Sequence, residues 1–219
     1  MNPQQETLLK RYVEAVVYSP INLTADRDVR QFWARHVLDA VRLSELVPPQ
    51  YRKPGTRILD VGSGNGVPGV PLAILNPEWN IEMLDSDNKK CLFIDTFCKS
   101  NGIKNAHVIV GRAETLARGA LRSEYDIVFS RALGRLRVAV ELTGAFVSVG
   151  GLLIVPHGTS WDSELKDSSM ALELLGLKFI NSIEYDLDER KFWALMFSKI
   201  VQTPEKYPRA VGIPKKRPL

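Results

Sequence analysis

The sequence predicts an α/β fold built on a mostly parallel seven-stranded sheet. An antiparallel hairpin closes the C-terminal side, and a helical extension precedes the sheet. Three observations predict it. Short apolar runs alternate with helical patterns between Arg57 and Val155. A glycine-rich loop, Gly62-Ser-Gly-Asn-Gly66, directly follows the first run. Two strand-like runs near the C-terminus are joined only by the short charged turn DLDERK.

The elements follow in order. Residues 5–18 place Leu8, Leu9, Tyr12, Val13, Val16 and Val17 on one helical face, and Pro20 ends that helix. A second helix is expected from Asp28, as N-cap, to Leu46, with Phe32, Trp33, Leu38 and Val41 inward. Its Arg35 and Asp39 stand four apart and are spaced to pair. Pro48-Pro49 and Pro54-Gly55 mark a boundary. Strands are expected at Arg57–Val61, Ile81–Leu84, His107–Val110, Ile127–Phe129 and Leu152–Val155, with helices at Asn88–Ser100 and Leu136–Val149. Phe179–Tyr185 and Phe192–Ile200 form the hairpin. The chain thus divides into a helical extension (1–50), a sheet domain (51–203) and a tail (204–219).

Composition narrows the class. The 219 residues are 45% hydrophobic and 25% charged, which suits a globular α/β protein. Cys91 and Cys98 fall within one helical pattern, so neither a disulfide framework nor a metal site is expected. The polar N-terminus lacks a signal-peptide core, and no apolar run reaches membrane-spanning length. A soluble cytoplasmic protein, monomeric and without a membrane partner, is the expectation. The whole net charge of +4 sits in the tail, where Lys206, Arg209, Lys215, Lys216 and Arg217 face only Glu205. Pro208, Pro214 and Pro218 should keep that tail out of regular helix. A mobile basic arm able to contact a phosphate backbone is the expectation.

The glycine loop identifies a nucleotide-like cofactor site. Glycine lets the backbone turn sharply and lets a ligand approach it closely. Two cofactors fit. Gly64, Gly66 and Gly69 satisfy the dinucleotide pattern G-x-G-x-x-G, with Asp85 about 20 residues on. Asp60-Val-Gly-Ser-Gly-Asn-Gly66 equally fits the D-x-G-x-G-x-G loop of S-adenosylmethionine enzymes. Pro68 and Pro71 remove two backbone donors that a pyrophosphate would use. A cationic sulfonium beside Asp60 suits the loop better. A dinucleotide oxidoreductase, and a non-catalytic RNA-binding module on the same scaffold, are the alternatives from other classes.

Further motifs follow the third and fourth strands: Gly111-Arg-Ala-Glu114 and Ser130-Arg-Ala-Leu133. Together with INLTADRDVRQFWARHVLDA (21–40), ILDVGSGNGVPGVPLAI (58–74), LDSDNKKCLFI (84–94) and the ending KYPRAVGIPKK, these motifs make a specific series. In that order and spacing the chain resembles the bacterial 16S rRNA guanine-N7 methyltransferases, historically called glucose-inhibited division protein B. The resemblance spans nearly the whole chain. The family's approach segment is reduced here to Asn22-Leu23-Thr24. Its L-K-G after the fifth strand reads Pro156-His157-Gly158.

The resemblance implies a Rossmann-like S-adenosylmethionine methyltransferase fold. It implies that Gly62, Val67, Ala113, Glu114 and Arg131 contact the cofactor, with Asp85 near the ribose and Asp60 near the methionine end. Gly64, Gly66 and Ser86 complete that set. The implied substrate is a guanine in the 530 loop of 16S rRNA, as naked rRNA or in a 30S assembly intermediate. Another RNA, a small molecule or a protein is the alternative substrate. Guanine N7 carries a free lone pair, so no general base is required, and alignment should dominate catalysis. Arg131 is the candidate for that alignment. Asn22, Arg35, His36, Arg131 and Arg135 are candidate substrate contacts, joined by Lys206, Arg209, Lys215 and Lys216 of the tail.

Overall fold

The computed structural model describes residues 1–219. Helix α1 (Pro3–Val17) starts at a capping box, in which the Asn2 side chain accepts from the Gln5 backbone and Gln5 reaches back. The second helical segment comprises α2 (Val29–Phe32), a π-helical turn (Trp33–Val37) and α3 (Leu38–Leu46). Asp28 caps it as expected, accepting from the Arg30 and Gln31 backbones. The sheet and its crossovers follow: β1 (Arg57–Val61), α4 (Gly69–Leu75), β2 (Asn80–Asp85), α5 (Asn88–Ser100), β3 (Ala106–Val110), α6 (Ala113–Leu116), β4 (Tyr125–Ser130), α7 (Leu136–Thr143) and β5 (Val147–His157). Then come α8 (Trp161–Asp167), α9 (Ser169–Leu175), β6 (Leu177–Leu187), β7 (Arg190–Lys199) and the single turn α10 (Ile213–Lys216).

The strand order is β3-β2-β1-β4-β5-β7-β6. Strands β1 to β5 pair in parallel, and β7 is antiparallel to both β5 and β6. This is the expected seven-stranded sheet with its hairpin. Chain order reverses between β1 and β4. That switch point opens a crevice at the C-terminal strand ends, where ligands bind in such folds.

Alternation along the strands fills two cores. Ile58, Ile81, Ile127 and Phe129 point to one face, against α1, α3, α4 and α5. Leu59, Val61, Val128 and Leu153 point to the other, against α7 and α9. Helix α1 belongs to the first core through Leu9, Tyr12, Val13, Val16 and Val17. Its Tyr12 hydroxyl donates to the Asn65 carbonyl at 2.8 Å. The N-terminal helices therefore brace the glycine loop directly.

Three expectations need correction. The helix read over Leu136–Val149 stops at Thr143, and residues from Val147 already belong to β5. Gly150 and Gly151, which the sequence leaves between that helix and the strand from Leu152, are an irregularity inside β5. Gly150 has φ +85°, and between Tyr125 and Ile127 of β4 the β5 partner jumps from Val147 to Leu152. A Cβ on Gly151 would lie 2.9 Å from the Asp126 carbonyl oxygen. The sequence predicts no helix where α8 and α9 stand. Each spans about two turns, too short for a 3.6-residue period to accumulate.

The third correction concerns the tail, which is docked rather than mobile. Tyr207 is buried in the second core. Arg209 forks onto the fully buried Glu141, with Nε–Oε1 at 2.8 Å and Nη2–Oε2 at 2.6 Å. Arg118 Nε donates to the Pro208 carbonyl at 3.0 Å, and Arg122 donates to the carbonyls of Thr203, Pro204 and Tyr207. Pro214 opens α10 instead of preventing it, because proline is tolerated in the first turn. Buried Lys199 holds the tail's start, donating to Leu175 O and Thr203 Oγ1.

Candidate cofactor site and the arginine network beside it

Period-two alternation puts Asp60 on the same face as Ile58, under the start of α4. Its Oδ2 accepts from the Gly69 backbone at 3.0 Å. Its Oδ1 has no partner within the protein. Ser63 and Ser130, at the ends of β1 and β4, also carry buried hydroxyls without partners. Three unpartnered polar side chains thus converge on the switch point. Buried polar groups normally find partners, so this cluster fits a polar ligand.

Asp85 ends β2. Its Oδ2 accepts from the Gly64 backbone at 2.8 Å and its Oδ1 from the Asp87 backbone at 2.9 Å. One carboxylate therefore sets both the glycine loop and the turn into α5. Gly62 (φ +75°) turns the chain where its N–H bonds Leu84 O, and a Cβ there would lie 2.3 Å from Leu133 Cδ2. A cavity of about 390 Å³ lies alongside. Gly62, Asp85, Ser86, Ala113 and Glu114 all line it, together with Lys215. Its volume falls in the range of small-molecule cofactor sites.

The cavity does not take in every expected cofactor residue. Gly64 and Gly66 shape the loop behind it, and Val67 is buried in the first core. Asp60 and Arg131 lie off its lining. A second recess, of about 140 Å³, adjoins through Leu133 and is lined by Ser130, Ala132, Pro156 and His157. His157 there stands 3.3 Å from Glu164.

Burial pushes the Asp60 carboxyl up to about 7, with the Asp85 charge adding to it, while the Gly69 N–H and Arg131 oppose the shift. In the unfolded chain the same group titrates near 3.8. The folded state therefore binds a proton that the unfolded state releases between these values. Asp60 thus costs stability as pH rises through that window, and the cost is complete above it. Asp60→Asn removes the charge and keeps an acceptor for Gly69. Its urea midpoint should gain on the wild type more at pH 8 than at pH 5. A gain independent of pH would refute this account.

Arg131, directly after β4, is the hub of an ion network. Its Nε meets Asp39 Oδ2 at 3.0 Å, and its Nη2 donates to His36 Nδ1 at 2.7 Å and to the Arg35 carbonyl at 3.3 Å. Nη1 is left for other partners. Asp39 is almost fully buried and also accepts from the Tyr185 hydroxyl at 2.7 Å. His36 Nε2 bonds Asp26 Oδ2 at 2.8 Å, so a neutral ring donating to Asp26 and accepting from Arg131 satisfies every contact. Burial, and then the Arg131 charge, lower its pKa accordingly.

This network corrects the expected Arg35–Asp39 pair. Asp39 turns inward to Arg131, and Arg35 turns outward to Asp26 (3.2 Å) and Asp188 (2.9 Å). The structure brings Arg35, His36 and Arg131 together. Asn22 and Arg135 stay exposed and outside the network. Arg209 is spent on Glu141 and is no free phosphate contact, whereas Lys215 lines the cavity and stays exposed. Lys206 and Lys216 remain exposed. The sequence gives no sign of Asp26 or Tyr185 in this network and pairs Asp39 with the wrong arginine; Tyr185 meets Asp39 across 146 residues.

Comparison with known proteins decides what this site belongs to. The chain matches the family described as GidB, rRNA small subunit methyltransferase G, over residues 5–192. It belongs to that family. It is similar to the ribosomal RNA small subunit methyltransferase G of Fervidobacterium nodosum, 37% identical over 217 residues that cover 99% of both chains. The protein of that name from Streptococcus pneumoniae is 35% identical over all of this chain and 93% of its own. Two solved structures show the fold at low identity. M. jannaschii TYW2 in complex with AdoMet has a TM-score of 0.60 at 13% identity, covering 75% of this chain and 76% of its own. Aeropyrum pernix fibrillarin with bound S-adenosyl-L-methionine has 0.56 at 19%, covering 73% of each. As a GidB-family methyltransferase, the chain uses S-adenosylmethionine, and the acids Asp85 and Glu114 on the cavity lining fit the cationic part of that cofactor.

Proposed function

We propose that this chain methylates N7 of a guanine in the 530 loop of 16S rRNA, as naked rRNA or within a 30S assembly intermediate. It acts as a monomer in the cytoplasm. The observation that carries this reading is the pairing of two adjoining recesses. One is of cofactor size at the β1–β4 switch point, and the other is smaller, at the ends of β4 and β5. The names of the full-length relatives supply the rRNA.

S-adenosylmethionine supplies the activated methyl group. The chain's own residues position the reactants and exclude water. N7 has no proton to lose, and the site pairs no nucleophile with a base. Leu133, Ala132 and Pro156 give the smaller recess apolar walls, while Ser130 and His157 offer polar partners to a base edge. N7 and O6 of guanine form the acceptor edge that arginine reads best. Arg131 is held by Asp39 and His36 beside that recess, with Nη1 still available. Its place is set by partners on α3 and in the π-helical turn, so the N-terminal helices belong to the substrate side of the site.

The test is to map N7-methylguanine in 16S rRNA from cells with and without this protein. The 530-loop guanine should lose its methyl group in the deletion and regain it on complementation. Persistence of the modification in the deletion would overturn the substrate assignment.

A further inference from the structure

We infer that the C-terminal segment Val211–Lys215 is a wall of the cofactor site, so that cofactor binding and tail docking strengthen one another. This rests on the cofactor reading of the cavity above. It moves Lys215 from the RNA side, where the sequence placed it, to the cofactor side.

Three observations carry it. First, the tail is anchored away from the cavity. The Arg209–Glu141 fork and the arginine bonds to Tyr207 O and Pro208 O fix its path over the second core. Second, the tail bonds a cavity residue. The Gly212 backbone donates to Glu114 Oε1 at 2.9 Å, which leaves Oε2 of Glu114 for a ligand. Gly212 has φ +79°, a conformation that glycine adopts without strain, and the chain reverses there. That reversal brings Val211 and Lys215 both onto the cavity lining.

Third, the side chains it brings there suit an occupant. Val211 is 53% exposed although the adjoining tail is packed. Leu133, Val138 and Leu142 share that lining. A flat heteroaromatic group against these apolar side chains would cover Val211. Lys215 and Arg112 are the cations of a lining that also holds Asp85 and Glu114. A ligand with both a carboxylate and cationic centres meets complementary charge there, and S-adenosylmethionine is such a ligand.

Coupling of this kind is reciprocal: a tail that improves cofactor affinity is itself held down by cofactor. Three measurements on the full chain and one variant test it. The variant carries Val211→Ser and Lys215→Ala in the full chain, keeping Arg209, Tyr207, Gly212 and the packed Leu219 so that the anchor survives. Calorimetric titration with S-adenosylmethionine should show binding weakened about tenfold, a loss of roughly 1.4 kcal/mol. The thermal midpoint without ligand should match that of the full chain. In the full chain, trypsin cleavage at Arg209, Lys215 and Lys216 should slow several-fold on adding the cofactor, because cleavage follows the open population. Unchanged affinity in the variant, or tail cleavage indifferent to cofactor, would overturn the inference. Absence of binding to the full chain would instead overturn the cofactor reading on which it rests.

Discussion

Arg131→Ala should lose both activity and stability, the latter by about 3–5 kcal/mol at neutral pH. The cost is not that of an exposed arginine. Its partner Asp39 is 2% exposed, and with Arg131 gone it keeps only the Tyr185 hydroxyl. A buried carboxylate without its counter-ion pays its desolvation in full. Burial already raises the Asp39 pKa, and Arg131, followed by the Tyr185 bond, holds it back. Removing Arg131 lifts it further. The folded variant then binds a proton at a pH where the unfolded chain, near the ordinary aspartate value, does not. Its deficit is therefore complete at neutral pH and shrinks as pH falls through the raised value.

Methyl incorporation into 30S particles should fall about 100-fold in the same variant, since a misplaced positioning group costs that much. Pairing Arg131→Met with Asp39→Asn separates the two losses. The double variant should recover most of the stability and little of the activity. Urea unfolding and initial rates read them independently. A stability loss below about 1 kcal/mol in Arg131→Ala would show that Asp39 finds another partner.

Arg209→Ala should be the second large loss, again of about 3–5 kcal/mol, because Glu141 is fully buried and its two oxygens are both taken by Arg209. An arginine serving as a phosphate contact on a mobile arm would cost almost nothing when removed. The two views of the tail therefore differ by several kcal/mol in a single denaturation curve. Glu141→Gln in the Arg209→Ala background should restore part of the loss, since it removes the uncompensated charge while keeping an acceptor for the Arg209 position's backbone N–H (3.0 Å in the parent). If Arg209→Ala unfolds with the parent's midpoint, the docked tail is not held by this pair.

The sheet and its loop were legible because their signals are local. Strand β1 and helix α5 occupy the expected residues, Arg57–Val61 and Asn88–Ser100, since each reads from its own periodicity and caps. Asp87 caps α5 through bonds to Lys89 and Lys90 only two and three residues on. Gly62, Asp85 and Glu114 could be placed together because a doubly wound sheet brings the ends of β1, β2 and β3 to one edge. Where the local signal misled, a nonlocal contact was responsible. Gly150 and Gly151 fall between a predicted helix and a predicted strand, yet their job is to fit β5 against β4.

The sequence by itself thus determined the fold class, the glycine loop and the acids Asp85 and Glu114 that line the cavity beside it. Only the tertiary structure decided which charges are free to meet a substrate. Arg131 finds His36 across 95 residues, Tyr185 reaches Asp39 across 146, and Arg209 reaches Glu141 across 68. No periodicity records such pairs, because a charged side chain looks the same in sequence whether water or a buried counter-ion satisfies it. The choice between them rests on desolvation, and desolvation exists only once the chain has folded.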